Sequence, residues 1–426
     1  MNRSVAFCTL GCKVNQYETE AMCELFKASG YQVTDFEDFA DVYVINSCTV
    51  TALSDRKSRQ LIRRAKRVNP DAFVAVCGCY AQTAPETVSA IEGVELVLGT
   101  QERSCIVQLV EQKTGGCFVH DISKTHSFEQ LEISGYKNRS RAFIKIQEGC
   151  NQFCSYCIIP YARGPIRSRA SADIIAESRA LVLAGYSELV YVGIHVASYG
   201  LDTKEMSLAE LLVQLNAIEG IRRIRLSSIE PMTLDAGFCE QIKGCDKLCP
   251  HFHLSLQSGC DETLHRMNRR YTTAQYAEIV AGLRKYFPDC AITTDIMVGF
   301  PGETESEFAK TLDFVRKIGF ADAHIFKYSR RKGTPADTMP NQIPPEVKEE
   351  RSKQLIALCE QSRDEFIKGY LNRPAEVLFE DKNGEYYEGK TANYITVFAK
   401  SDTDLCGRYI TVIADEERSG ALYCTV

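Results

Sequence analysis

Residues Ala142–Gly164 read AFIKIQEGCNQFCSYCIIPYARG, and this stretch decides the fold. AFIKIQ is a short apolar run of strand character. The loop after it sets Cys150, Cys154 and Cys157 in a CxxxCxxC spacing. A loop this tight can wrap three thiolates round one metal centre. A structural zinc site closes with four ligands, whereas three leave a position open for chemistry. Iron–sulfur clusters are held by thiolates, and a cluster with three cysteines keeps one iron free. On spacing alone, a zinc loop with a distant fourth ligand stays open as the alternative.

Downstream, five further strand candidates follow: ELVYVGI, RRIRLSSI, HFHLSLQ, AITTDIMVGF and AHIFKYS. Helical segments separate them, for example Ala172–Leu183, Leu208–Ala217, Thr273–Arg284 and Glu305–Ile318. Six β/α units predict an open, incomplete barrel rather than a closed eight-unit one. Candidate contact residues gather at the strand ends. They are Gly193 after the second strand, Ser228 and Glu230 after the third, and Gln257 with Ser258 after the fourth. Each has a plain structural alternative, a helix cap for Glu230 or a buried backbone partner for Gln257. The turn in DIMVGFPGETESEF reads as structural, and no GxxxxGK[ST] supports a nucleotide-triphosphate reading.

Upstream, VAFCTLGC, ADVYVINSCTV and AFVAVCGCYAQ each read as a buried strand ending in a cysteine-bearing loop. Helix candidates Glu18–Ser29 and Ser54–Val68 lie between them. Alternating strands and helices imply a parallel sheet, whose function collects at the carboxyl ends of its strands. Cys12, Cys48 and Cys79 sit there, whereas Cys8 and Cys77 lie inside strands. The expected class is α/β. A doubly wound parallel sheet occupies 1–120, a polar linker 121–140 and a (β/α)6 partial TIM barrel 141–370. A small all-β barrel fills 371–426, where short strands follow one another with no helix between.

The chain carries 19 cysteines in 426 residues, too sparse for a disulfide scaffold. A chain this long buries a core without staples. No signal-peptide pattern and no long apolar span is visible, so the expected compartment is the reducing cytoplasm. There, clustered cysteines mean metal or catalysis more often than disulfides.

The CxxxCxxC loop, with aromatic Tyr156 before its last cysteine, resembles the radical S-adenosylmethionine (SAM) superfamily. TLGCKVNQYET, NSCTV and CGCYAQ, followed by that loop and a C-terminal β-barrel, resemble the methylthiotransferases over nearly the whole chain. The resemblance implies a SAM-binding 4Fe-4S cluster on Cys150, Cys154 and Cys157. It implies an auxiliary 4Fe-4S cluster on Cys12, Cys48 and Cys79. Tyr156 would lie against the adenine of SAM, with Gly193, Ser228, Glu230 and Gln257 nearby. SAM would serve twice, once to methylate a sulfur and once to generate a radical on the substrate. A low-potential electron donor such as flavodoxin or ferredoxin is implied. The C-terminal barrel resembles the TRAM domain, a small RNA-binding fold.

Members of this family act on a tRNA adenosine beside the anticodon or on a ribosomal-protein aspartate. The net charge of −6 speaks weakly against RNA, but charge is not evenly spread. Leu53–Asn69 holds seven Lys/Arg and one Asp, with Leu61, Ala65 and Val68 at helical spacing. That places Arg56, Arg63 and Arg67 on the opposite face, as a solvated ridge or as a contact for the phosphates of a tRNA anticodon stem-loop. Lys137, Arg139, Arg141, Arg169, Arg330, Arg331 and Lys332 add further basic groups. Residues 371–426 carry ten acidic and six basic groups, a poor electrostatic grip on RNA. The detailed motifs most resemble the type acting on N6-threonylcarbamoyladenosine at tRNA position 37. That substrate carries a carboxylate, and Arg163 and Arg167 are the candidate partners. Alternatives are isopentenyl-adenosine, a ribosomal-protein aspartate, or a non-catalytic iron–sulfur RNA-binding protein.

Overall fold

The computed structural model describes residues 3–133, 135 and 140–426. The central strands of the first sheet are near-continuous apolar runs buried on both faces. Its strands are β1 (Ser4–Thr9), β2 (Gln32–Thr34), β3 (Val42–Ser47), β4 (Phe73–Gly78), β5 (Leu96–Leu98) and β6 (Gly116–Phe118). They run parallel in the order β2-β1-β3-β4-β5-β6. The order reverses between β1 and β3, which opens a crevice at their carboxyl ends. Helix α1 (Lys13–Ala28) leaves β1, α2 (Ala52–Val68) leaves β3, and the short α3 (Cys79–Thr83) leaves β4.

The second unit starts with β7 (Arg141–Glu148), against which the short β8 (Arg167–Ser168) pairs antiparallel. Parallel β9 (Glu188–Gly193) and β10 (Arg223–Leu226) follow, then β11 (His251–His253), β12 (Ala291–Val298) and β13 (Asp322–Lys327). Parallel bridges Ile224–Leu248 and Ile229–Leu254 tie the two halves together, giving six consecutive parallel strands. The open (β/α)6 barrel is therefore present. Its helices pack a core from Ile144, Leu189, Ile224, Leu254 and Ile296 to Tyr276 and Phe314.

The third unit is all β. Strands β14 (Pro374–Asn383), β15 (Tyr386–Thr391), β16 (Thr396–Lys400), β17 (Tyr409–Ile413), β18 (Glu416–Arg418) and β19 (Ala421–Thr425) lie in the order β17-β14-β15-β16-β19-β18. They have their own core of Val377, Phe379, Val397, Val412 and Leu422.

Two features differ from the sequence reading. Within the expected linker, residues 121–133 pack against the flanking units. Ile122, Leu131 and Ile133 are buried, and the Tyr17 hydroxyl donates to the Leu131 carbonyl at 2.6 Å. Lys137 and Arg139 lie outside the described residues. A 24-residue helix, Pro345–Lys368, which the sequence reading did not single out, packs on β13 and leads into the β-domain.

Candidate active site

The β1–α1, β3–α2 and β4–α3 loops carry Cys12, Cys48 and Cys79. Asn15, on the first turn of α1, ties two of these loops: its amide donates to the carbonyls of Leu10 (2.7 Å) and Ser47 (3.2 Å). Gly11 has φ +107, and a Cβ there would stand 3.0 Å from the Cys48 sulfur. Gly78 has φ +92, and a Cβ there would meet Asn46 Oδ1 at 2.5 Å. Only glycine fits these two positive-φ positions without a clash. Burial pushes up the pKa of Cys48 and Cys79, and a neighbouring thiol adds to it.

Against them stands the fully buried Arg163. Its Nε donates to Cys79 Sγ at 3.1 Å. Nη1 reaches Glu18 Oε1 (2.5 Å) and Glu148 Oε2 (3.1 Å), and Nη2 reaches Asn15 Oδ1 (2.6 Å). Glu18 also binds Lys145 (2.8 Å) and Arg103 (3.0 Å). Burial pushes the Glu18 carboxyl up, but Arg103, Arg163 and Lys145 outweigh it and hold it well below the usual carboxylate range. Arg163, expected as a partner of the substrate carboxylate, has its donors taken by two glutamates, an asparagine and a thiol. Arg167 is different. It is buried, donates to the Pro165 carbonyl at 3.0 Å, and keeps Nε and Nη2 without a hydrogen-bond partner.

The second triplet lies on the loop from β7 to the helix Ile159–Arg163. Burial and the adjacent Cys154 thiol push Cys157 to about 12 and Cys150 to about 11. Arg269 donates through Nη1 to Cys154 Sγ at 3.4 Å and through Nη2 to Glu230 Oε2 at 2.8 Å. Burial pushes the Glu230 carboxyl up, but His195 and Arg269 outweigh it and keep it below its ordinary value. Tyr156 is half-buried, edge-on to Phe300 with centroids 6.4 Å apart. Gln257 stands in the left-handed region at φ +67, and its side-chain Oε1 is buried with no partner. Strain and an orphaned acceptor together make Gln257 a candidate ligand contact. A Cβ on Gly193 would press on Gln147 (3.0 Å), whose Oε1 accepts from the His195 amide at 2.7 Å; the glycine thus serves the loop holding His195. Ser228 is exposed.

Each cysteine set therefore has one buried guanidinium on a thiol: Arg163 for the first, Arg269 for the second. Thiols must lose their protons to bind metal, and a fixed cation beside them favours that loss. Among the described residues, no three His, Cys, Asp or Glu side chains gather as ligands of a single metal ion would. A four-iron cluster takes its thiolates on separate corners, and soft thiolate donors beside a fixed cation suit its chemistry.

On α2, Arg56, Arg63 and Arg67 are exposed; of the expected apolar face, Ala65 is buried and Leu61 and Val68 are half-buried, with Ile62 buried beside them. Arg331 binds Asp55 at 2.7 Å and fixes the start of α2 to the barrel. The sequence reading missed Glu18, Glu148, Arg269 and His195. Asn15, Glu18 and Thr19 share one face of α1 at i, i+3 and i+4, and polar groups on a buried face were the available signal.

Comparisons with known proteins agree with this architecture. Residues 4–99 match the uncharacterized protein family UPF0004, and residues 144–315 match the radical SAM superfamily. The chain is 45% identical to the threonylcarbamoyladenosine tRNA methylthiotransferase MtaB of Bacillus subtilis, over 96% of this chain and 93% of that one. It is 39% identical to the protein of the same name from Aquifex aeolicus, over 92% and 96%. It is 37% identical to the tRNA-2-methylthio-N(6)-dimethylallyladenosine synthase of Lachnoclostridium phytofermentans, over 96% and 92%. Among solved structures, the radical SAM methyltransferase TsrM of Kitasatospora setae shares the fold with a TM-score of 0.60 at 16% identity, over 79% of this chain and 77% of that one. Identity of this level across almost the full length of curated relatives, joined to two cysteine triplets at the strand ends of a parallel sheet and a six-stranded barrel, leads to one conclusion: the chain belongs to the methylthiotransferase family of radical SAM enzymes.

Proposed function

We propose that this enzyme attaches a methylthio group to N6-threonylcarbamoyladenosine at tRNA position 37. Cys12, Cys48 and Cys79 hold the auxiliary 4Fe-4S cluster, and Cys150, Cys154 and Cys157 hold the SAM-binding one. The observation that carries the assignment is the matched pair of guanidinium–thiol contacts, Arg163 to Cys79 and Arg269 to Cys154. When bound, the clusters and SAM supply the electron, the radical and the methylated sulfur.

The protein's own groups bind and orient. Arg163 offsets the charge of the auxiliary thiolates, and Glu18 and Glu148 keep it aimed. Arg269 does the same for Cys154 and holds Glu230 ionised. Glu230, Gln257, Tyr156, Gly193 and Ser228 form the SAM side of the site. Arg167, with two nitrogens free of hydrogen-bond partners, serves the substrate side. The exposed Arg56, Arg63 and Arg67 contact phosphates of the anticodon stem-loop. The working domains are residues 1–120, 141–370 and 371–426, a flavodoxin or ferredoxin supplies electrons, and the setting is the cytoplasm.

Anaerobic incubation with SAM, dithionite and tRNA, followed by mass spectrometry of the digested nucleosides, tests this. The expected product is 2-methylthio-N6-threonylcarbamoyladenosine. Product only on isopentenyl-adenosine, or none despite 5′-deoxyadenosine formation, sinks the substrate assignment. Cys12→Ala and Cys48→Ala should abolish the methylthio product and leave 5′-deoxyadenosine measurable. Retained transfer in either variant overturns the auxiliary-site assignment.

A further inference from the structure

A cavity of about 370 Å³ lies along strands β10 to β13 of the barrel. It runs from Ser228, just beyond β10, to His251 at the start of β11, and all three units contribute to its wall. The N-terminal unit contributes Lys13. The β-domain contributes Tyr394, whose ring stacks on His251 with centroids 4.8 Å apart. Tyr394 adopts φ +74, a conformation held only where the surroundings impose it. The cavity adjoins both proposed cofactor sites in the chain. Lys13 follows Cys12, and Ser228 stands two residues before Glu230.

Its charge is uneven. The carboxylates around it are largely occupied. Glu188 is shared by Arg141 (3.7 Å), Arg223 (3.5 Å) and Arg225 (2.9 Å). Asp295 binds His253 at 3.2 Å. Asp322 accepts from the Ala323 amide at 2.9 Å. Lys13 alone among the lining cations makes no ion pair with any described residue. Its side chain is exposed to the cavity. Burial and Arg225 keep His251 neutral, and its Nδ1 is buried without a hydrogen-bond partner. An unpaired lysine and an unpaired, buried ring nitrogen thus line one cavity. That combination calls for an anionic, hydrogen-bonding guest of a few heavy atoms.

We propose that the barrel cavity receives the carboxylate of the substrate's N6 substituent and that the Lys13 ammonium is its counter-ion, making Lys13 the residue that selects an acidic over an apolar N6 group. This rests on the threonylcarbamoyl reading above and adds to it the residue and the subsite. Arg163 cannot take the role, because its donors are occupied, and Arg167 does not line this cavity, so it is left to other polar groups of the substrate.

The test uses the enzyme with both clusters reconstituted and three anticodon stem-loops. One bears N6-threonylcarbamoyladenosine, one its carboxamide analogue, and one isopentenyl-adenosine. Binding is read by fluorescence anisotropy and product by mass spectrometry. The wild type should favour carboxylate over carboxamide by about tenfold or more, as loss of a charge-assisted contact predicts. Lys13→Gln should bring that ratio to within about twofold of unity, and Lys13→Arg should keep most of it. The ratio is internal to each preparation, so partial loss of cluster or folded protein cancels. Full discrimination retained by Lys13→Gln overturns the inference. So does a wild type that modifies the threonylcarbamoyl stem-loop but ignores the carboxamide change, and in that case the substrate reading still stands. A wild type that modifies only the isopentenyl stem-loop overturns both.

Discussion

The guanidinium of Arg163, on the helix that ends the barrel's cysteine loop, donates its Nε to the sulfur of Cys79 in the N-terminal sheet at 3.1 Å. One side chain thus joins the two halves of the candidate site. Its other nitrogens are fixed by Glu18, Glu148 and Asn15, one carboxylate from each half and an amide from α1.

Arg163→Met should therefore cost more than a surface charge. It leaves Glu18 and Glu148 buried with less compensation, a change worth about 3 to 5 kcal/mol. The auxiliary thiols also lose the cation that favours their ionisation. Iron and acid-labile sulfide per chain should fall to about half, with the melting temperature lowered. Unchanged iron content would falsify the link between Arg163 and the auxiliary site.

The same network sets an acid limit. Glu18 has a folded-state pKa well below its ordinary value. A depressed carboxylate contributes its full stabilisation above the unfolded pKa of about 4.3 and loses it as pH falls toward the folded value. On the cluster-free chain, wild-type stability should drop steeply below about pH 4.5. Glu18→Gln should be less stable at pH 7 yet show a flatter acid limb. Parallel limbs in denaturant titrations across this range would contradict the assignment.

The ridge on α2 predicts a salt signature. Replacing Arg56, Arg63 and Arg67 with Ala should weaken stem-loop binding for every sequence alike. The slope of log affinity against log salt should shrink by roughly 2 to 3, since each lost phosphate contact removes about 0.7 to 0.9. A weaker complex with an unaltered slope means that these arginines meet no phosphate.

Gln257 offers a trade between stability and binding. Its left-handed backbone costs about 1 to 2 kcal/mol for any residue but glycine. Gln257→Gly should raise the unfolding free energy by about 1 kcal/mol while weakening SAM binding about tenfold, measured by calorimetry on both counts. A variant that gains stability and keeps SAM affinity would assign Gln257 to backbone geometry alone.

Where function was legible in the sequence, the signal was local. Cys12, Cys48 and Cys79 follow apolar runs that can only be strands, and strand ends are where parallel sheets keep their loops. Cys150, Cys154 and Cys157 are near neighbours in the chain. Glu18 and Arg163, 145 residues apart, carry no such mark, because pairing of distant opposite charges has no period. Strands β2, β5 and β6 are three residues each, too short to show alternation. Residues 121–133 looked like a tether because three apolar anchors among polar neighbours leave composition almost unchanged. Arg269 sits in a polar run after a short helix, and only the approach of three strand-end loops gives it Cys154 and Glu230.

Three arginines of the barrel hold the β-domain in place. Arg141 binds Glu380 at 2.7 Å, Arg223 donates to the carbonyls of Glu376 (2.7 Å) and Lys390 (3.0 Å), and Arg225 to that of Ala392 (3.1 Å). With Tyr394 seated on His251, the β-domain is clamped at several points rather than hung on a hinge. The chain is thus built like a caliper with its jaws locked. Were an RNA to touch both the α2 ridge and the β-domain, the separation these contacts set would favour an arm that spans it.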